Sequence, residues 1–236
     1  MRALIGLGVF FALWEALFSP PFHEVVLRLA ELLGQRGFQL DIIASVLAWA
    51  IALGISIAVA VPAGLVLGSV PLLRTATRAL IEFLRPIPSV ALIPLAIVAM
   101  GGGSDTKIAL AVYASVWPIL FNTIYSMAEI DPLLVDTART FGLRRPRILL
   151  TVVLPHAAPF VFTGIRLASS IALILIVSTE FLAGAPRGIG TFILNASSGA
   201  GRLDLVLAGT VVAGVFGFLV NAGLERLGRR LFRWQQ

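Results

Sequence analysis

Apolar runs of about 20 residues recur along this chain, and a run of that length spans the hydrocarbon core of a bilayer as a helix. Hydrocarbon offers a backbone amide no hydrogen-bond partner, so each run must satisfy its own N–H and C=O groups, which a helix does. The runs lie at 3–18, 41–68, 75–100, 107–127, 160–182 and 203–224. The expectation is an all-α, polytopic membrane protein with about six transmembrane helices. Composition agrees, with 58% hydrophobic and 13% charged residues where soluble domains carry about a quarter charged. Mean hydropathy is +0.99.

Taken in order, Arg2 and the first run resemble a signal peptide. The sequence that follows, Ser19-Pro20-Pro21, is no small-x-small cleavage site, so the run reads as a retained anchor. Over 22–33, Val25, Val26, Leu29, Leu32 and Leu33 share a helical face opposite Glu24, Arg28 and Glu31, the pattern of an interfacial helix. Asp41 is placed to cap the second span. Ala60, Gly64 and Gly68 stand four apart, as do Gly209, Ala213 and Gly217, and such stripes admit a second helix closely. Pro86 and Pro88 remove backbone donors and must break the third span. Irregular backbone at that depth needs protein or a wet cavity beside it. Pro118 predicts a kink in the fourth span. The glycine-rich stretch 183–202 reads as a short helix dipping into the membrane or lying across its outer face.

Charge orients the chain. With the N-terminus inside, eleven of the 18 basic residues fall in the cytoplasm, among them Arg139, Arg144, Arg145, Arg147, Arg226, Arg229, Arg230 and Arg233. Five fall outside (Arg28, Arg36, Lys107, Arg187, Arg202), and Arg85 and Arg166 lie within spans. The positive-inside rule therefore puts both termini and the polar stretch 131–155 in the cytoplasm. It also accounts for the +6 net charge without nucleic acid.

That polar stretch reads as two short helices and a tight turn. Pro132 suits an early helical position, Gly142 a left-handed stop. Pro146 opens a second helix whose apolar face carries Ile148, Leu149, Val152 and Val153, and Pro155 ends it. A helical hairpin on the membrane surface is a docking device. Asp136-Thr137-Ala138, three residues, Gly142, nine residues, then Val152-x-Leu154-Pro155 resembles the Glu-Ala-Ala loop of the membrane subunits of binding-protein-dependent ABC importers (type I fold). Glu-Ala-Ala stands here as Asp-Thr-Ala, and the usual Ile as Val152. The phrase LRPIPSVALIPLAIVAMGGG is similar to the sulfonate, taurine and nitrate branch.

The resemblance implies a division of labour. Residues 1–39 hold a membrane helix and an interfacial helix, 40–224 the transmembrane core with its coupling loop 131–155, and 225–236 a basic cytoplasmic tail. Asp136, Thr137, Ala138, Gly142, Arg144, Pro146, Leu154 and Pro155 would contact a groove on a separate ATPase. The chain would form a homodimer in the cytoplasmic (inner) membrane of a bacterium or archaeon. Two ATPase subunits and an extracytoplasmic solute-binding protein would complete the importer. The solute would be a sulfonate, taurine, nitrate or a pyrimidine vitamin precursor. ATP and magnesium would sit on the partner.

Site chemistry is otherwise sparse. No GxxxxGK[ST] phosphate loop occurs, so no ATP is bound by that device and the chain is expected to be non-catalytic. With no cysteine and two separated histidines, thiol chemistry is excluded and a metal site is not expected. Ionisable residues in spans are costly and point to function. Arg85, Arg166, Ser169, Ser178 and Glu180 are candidate path residues, with helix-end placement or packing as the competing role. Glu82 and Arg85, three apart, can pair on one face. Arg166 and Glu180 are separated by about 21 Å of helical rise, too far to pair with each other. The alternative from another class is a proton-coupled secondary transporter using Glu180. An intramembrane hydrolase would need a serine partner for His156, and none is near in sequence.

Overall fold

The computed structural model describes residues 6, 14–15, 20–84, 87–199 and 202–233. Most of the expected first span, 3–18, and Arg85 lie outside the described residues. The described chain is helical: α1 Phe22–Leu33, α2 Arg36–Ser69, α3 Pro71–Leu84, α4 Ile93–Met100, α5 Ser104–Ala128, α6 Pro132–Thr140, α7 Arg145–Ile148, α8 Leu154–Ala183, α9 Ile189–Ser198 and α10 Leu203–Leu231. Among the described residues four segments are long and apolar enough to cross a membrane, and a bent pair makes a fifth. That pair is the expected broken third span, α3 and Ser89–Met100, which meet at 73°. Pro88 between them has no amide hydrogen to continue a helix.

The centre of the bundle is α5, held between α2 and α8. One apolar cluster joins Ala48 and Ala52 of α2, Leu110, Ala111 and Ala114 of α5, and Ala172, Leu175 and Ile176 of α8 around Ile93 of α4. Most of these side chains are alanine. Helices in lipid gain little from hiding apolar surface from one another, so they associate by close backbone approach over small residues. Hydroxyl and indole groups bridge the same seams: Trp49 Nε1 donates to the Ser169 carbonyl at 3.0 Å, and Ser115 Oγ to the Ala168 carbonyl at 3.3 Å. At the side of the bundle α1 lays Val25 and Leu32 against Phe38 and Ala208, and Arg28 Nε reaches Asp204 at 3.2 Å.

Several expected boundaries differ. The second helix starts at Arg36, so Asp41 lies inside it and caps nothing; its carboxylate instead accepts from the Gly188 N–H at 3.4 Å. The same helix continues unbroken past Pro62 to Ser69. The glycine-rich connection contains α9, which packs on α8 and α10. The basic tail expected from 225 is the end of α10, helical to Leu231.

Candidate functional site

Two places in the fold can carry function, one at each end of α5. The first is the hairpin. Asp131 accepts the Leu133 N–H at 2.9 Å and so caps α6, with Pro132 behind it. The helix ends at Gly142, whose φ of 77° is left-handed. Leu143 N–H returns to Ala138 O at 3.1 Å and Gly142 N–H to Arg139 O at 2.8 Å, the paired bonds of a Schellman cap. Arg144 is extended, and its carbonyl starts α7 by accepting from Arg147 and Ile148.

Beyond that point the expected second short helix does not end at Pro155. A π-helical turn, Leu149–Val153, joins α7 to α8 without a break. Pro155 has no N–H for the carbonyl one turn back, and the ladder adjusts by Leu154 N–H donating to Leu149 O instead. The second half of the hairpin, α7, is therefore helically continuous with α8.

The hairpin has its own small core, in which Ala138, Ile148 and Val153 are buried with Met127, Val135 and Leu143 around them. Leu149, expected on that apolar face, is exposed. Asp136 pairs with Arg139 at 2.9 Å on the exposed side, and the Thr137 carbonyl accepts from the Thr140 hydroxyl and the Phe141 N–H. Pro146 lies in the first turn of α7. Leu154 and Pro155 start α8. Leu133 is 69% and Phe141 81% exposed, apolar surface set among Arg139, Arg144, Arg145 and Arg147. That combination suits a protein groove with an acidic rim.

The second place is the other end of the bundle, about 30 Å away along α5 by helical rise. Lys107 and Glu180 form an ion pair at 2.7 Å with side chains 2% and 0% exposed. Glu180 also accepts from Ser45 Oγ with both oxygens at 2.8 Å and from the Gly190 N–H at 3.0 Å. Lys107 Nζ donates further to Arg187 O at 3.2 Å, and Ser45 Oγ accepts the Ile189 N–H at 2.9 Å. Four elements thus meet on one carboxylate.

Beside this cluster an open groove of about 310 Å³ is lined by Val90, Val177, Ser178, Phe181, Leu182, Ile193, Thr210 and Ala213. Of the candidate path residues that the structure describes, only Ser178 is in it. Glu180 faces away, into the ion pair. Ser169 is buried against α2. Arg166 is half-exposed and braces α8 to α10 through Asn221 at 3.4 Å and Glu225 at 3.8 Å. Thr210 and Lys107 escape sequence reasoning. The charge count puts Lys107 in an outer flank, and the structure buries it. The signal is the run of apolar residues behind it, which demands a carboxylate partner for an ammonium at that depth. Among the described residues no cluster of potential metal ligands occurs.

The sequence family described as binding-protein-dependent transport system inner membrane component matches residues 60–233. The chain is 33% identical over 179 residues to a putative ABC transporter permease protein of Methanocaldococcus jannaschii, covering 76% of this chain and 67% of that one. It is 30% identical over 223 residues to the taurine transport system permease protein of Escherichia coli, covering 92% and 80%. A bicarbonate transport system permease protein of Synechocystis is 30% identical over 179 residues, covering 75% and 64%. In fold the chain is similar to a chain of the inward-facing methionine ABC transporter, with TM-score 0.66, 18% identity and coverage of 90% and 99%. A chain of a bacterial ABC transporter involved in the import of alginate gives TM-score 0.66 at 16% identity over 96% and 90%.

Proposed function

Since the chain belongs to the family of binding-protein-dependent transport system inner membrane components, we propose that it carries a small anion or zwitterion through a path that a second copy of the chain completes. The chain is a membrane-spanning permease subunit of an ABC importer and leaves ATP hydrolysis to a separate subunit. Its fold is that of type I importer transmembrane domains.

The hairpin is the observation that carries the coupling mechanism. ATP and magnesium bind on the partner ATPase, whose closure moves the hairpin. Leu133, Phe141 and the surrounding arginines provide the docking surface, and the Gly142 cap holds α6 at its angle. The continuous run from α7 into α8 then moves Ser178 and Phe181 at the far end. Positive charge at the hairpin and at the end of α10 supports a cytoplasmic placement of both termini. A solute-binding protein delivers its cargo at the opposite face.

Relatives named for taurine and bicarbonate transport support a solute of that size and charge. The groove offers it hydroxyls, Ser178 and Thr210, and no ionisable side chain among its lining residues. Such a path holds an anion weakly, so selection falls to the binding protein.

The test is co-purification. Tagged wild-type chain in mild detergent is expected to bring down a soluble ATPase, while Gly142→Asp and Asp136→Lys stay monodisperse and lose it. If no ATPase accompanies the wild type and the chain alone moves taurine or bicarbonate on a proton gradient, the importer reading fails.

A further inference from the structure

We propose that Lys107 and Glu180 are positioning residues for the solute path: their buried pair anchors, from behind, the α8–α9 wall of the groove. This rests on reading the groove as part of that path.

The last turns of α8 have two faces. Val177, Ser178, Phe181 and Leu182 look into the groove, while Ile176, Thr179 and Glu180 are buried toward the bundle. The start of α9 repeats the division, with Ile189 and Gly190 buried and Ile193 on the groove. Between them, residues 184–188 fold back over the Glu180 carboxylate. A Cβ at Gly188 would fall on that carboxylate, and one at Gly190 on the Val177 carbonyl, so only bare backbone fits there. The fastening comes from outside the wall: Ser45 on α2 reaches both Glu180 and the Ile189 N–H, and Lys107 on α5 reaches Glu180 and Arg187 O. Thr191 Oγ1 adds a bond to Ala185 O at 3.0 Å.

A buried ammonium and carboxylate need not stabilise a fold more than apolar side chains would, whereas removing one partner strands the other charge. What the pair supplies here is direction. The carboxylate is the common acceptor for α2, α5 and α9, so it fixes the distance of Ser178 and Ile193 from the α5 core. With the wall fixed at this end, movement arriving along α8 shifts it as a unit.

The chain has no cysteine, so Ser178→Cys gives one reporter thiol in the groove. Its rate of reaction with a membrane-impermeant maleimide is measured for the complex in nanodiscs, and for the chain alone if no ATPase accompanies it. Lys107→Met and Glu180→Gln, each added to the reporter, are expected to raise that rate about tenfold by freeing the wall. A control thiol from Thr151→Cys, on the hairpin, keeps its rate. The double variant Lys107→Met/Glu180→Gln has no stranded charge, and the amide oxygen that replaces the carboxylate still accepts from the Gly190 N–H. Its rate is expected to return to within about threefold of the parent. A pair that merely filled space would leave the double variant at least as perturbed as either single one. If a single variant fails to fold, Ser45→Ala removes the donor to Glu180 and the acceptor of the Ile189 N–H but strands no charge, and it is expected to speed labelling by a smaller factor. Unchanged labelling at position 178 in the folded single variants, or a double variant worse than both, overturns the anchor. Neither result depends on an ATPase co-purifying, so the anchor and the importer reading fail separately.

Discussion

Gly64 on α2 and Thr123 on α5 approach so closely that a Cβ at position 64 would stand 2.5 Å from the Thr123 Cβ. Gly68 repeats the contact one turn on against Met127 at 2.7 Å, and on the other side Gly164 of α8 would meet the Pro118 carbonyl at 2.8 Å. Helix α5 is gripped from both sides at glycines, where backbone approaches neighbouring side chains and carbonyls directly.

Enlarging the seam should loosen the grip. Gly64→Val is expected to cost about 1–3 kcal/mol through overpacking, seen as a lower unfolding temperature in detergent. Gly54→Ala meets nothing within 4 Å and should leave that temperature unchanged. Equal behaviour of the two variants would show that the α2–α5 seam is not tight.

Gly142 tests the hairpin cap. An added Cβ there meets no atom within 4 Å, but φ is 77°, so the cost of Gly142→Ala is confined to backbone conformation, about 1–2 kcal/mol. Bundle stability should hold while retention of the ATPase falls by about tenfold. A titration of ATPase binding that shows no change would mean that the α6 angle is irrelevant to docking.

Phe141 tests the docking surface itself. An 81% exposed phenylalanine beside four arginines contributes nothing to the hairpin core, so Phe141→Ala should leave the fold intact. If it is an anchor in the ATPase groove, affinity drops by roughly 2 kcal/mol, as for aromatic hot spots. Undiminished binding in surface plasmon resonance would assign the groove contact elsewhere.

The far end of the bundle has its own steric test. Gly188→Ala and Gly190→Ala drive a methyl into the Glu180 carboxylate and the Val177 carbonyl respectively, and breaking that buried network should cost about 3 kcal/mol or more. Gly184→Ala, which meets only Leu194 at 3.9 Å, should cost about 1 kcal/mol for its left-handed backbone. The comparison is made by the fraction of monodisperse protein after heating. A Gly190→Ala protein as stable as Gly184→Ala would rule out the tight closure over Glu180.

Much of the site is legible in the sequence because it is local. Pro132, Gly142 and Pro146 are chain punctuation whose effect is set within a few residues, and the Schellman cap and the α7 start fall where they indicate. The small-residue stripe at Ala60, Gly64 and Gly68 is equally readable, since close approach is the one use a membrane helix has for such a pattern. The end of the hairpin at Pro155 is not legible, because a π turn can absorb a proline without breaking the axis. Val153 of that turn is buried in one cluster with Ala138, beside Met127.

By itself the sequence determined which segments from α2 onward are long apolar helices, where the hairpin lies and which family's spacing it follows. Those properties depend on run length, periodicity and turn residues, all short-range. Only the tertiary structure decided that Lys107 at the outer end of α5 is buried, and that it is paired with Glu180. It also decided that Ser178, among the described candidate path residues, is the one that faces the groove. Lys107 and Glu180 are 73 residues apart, and Ser45 and Glu180 are 135 apart. Each becomes a partner only once α2, α5 and α8 lie side by side, and no local signal encodes that register.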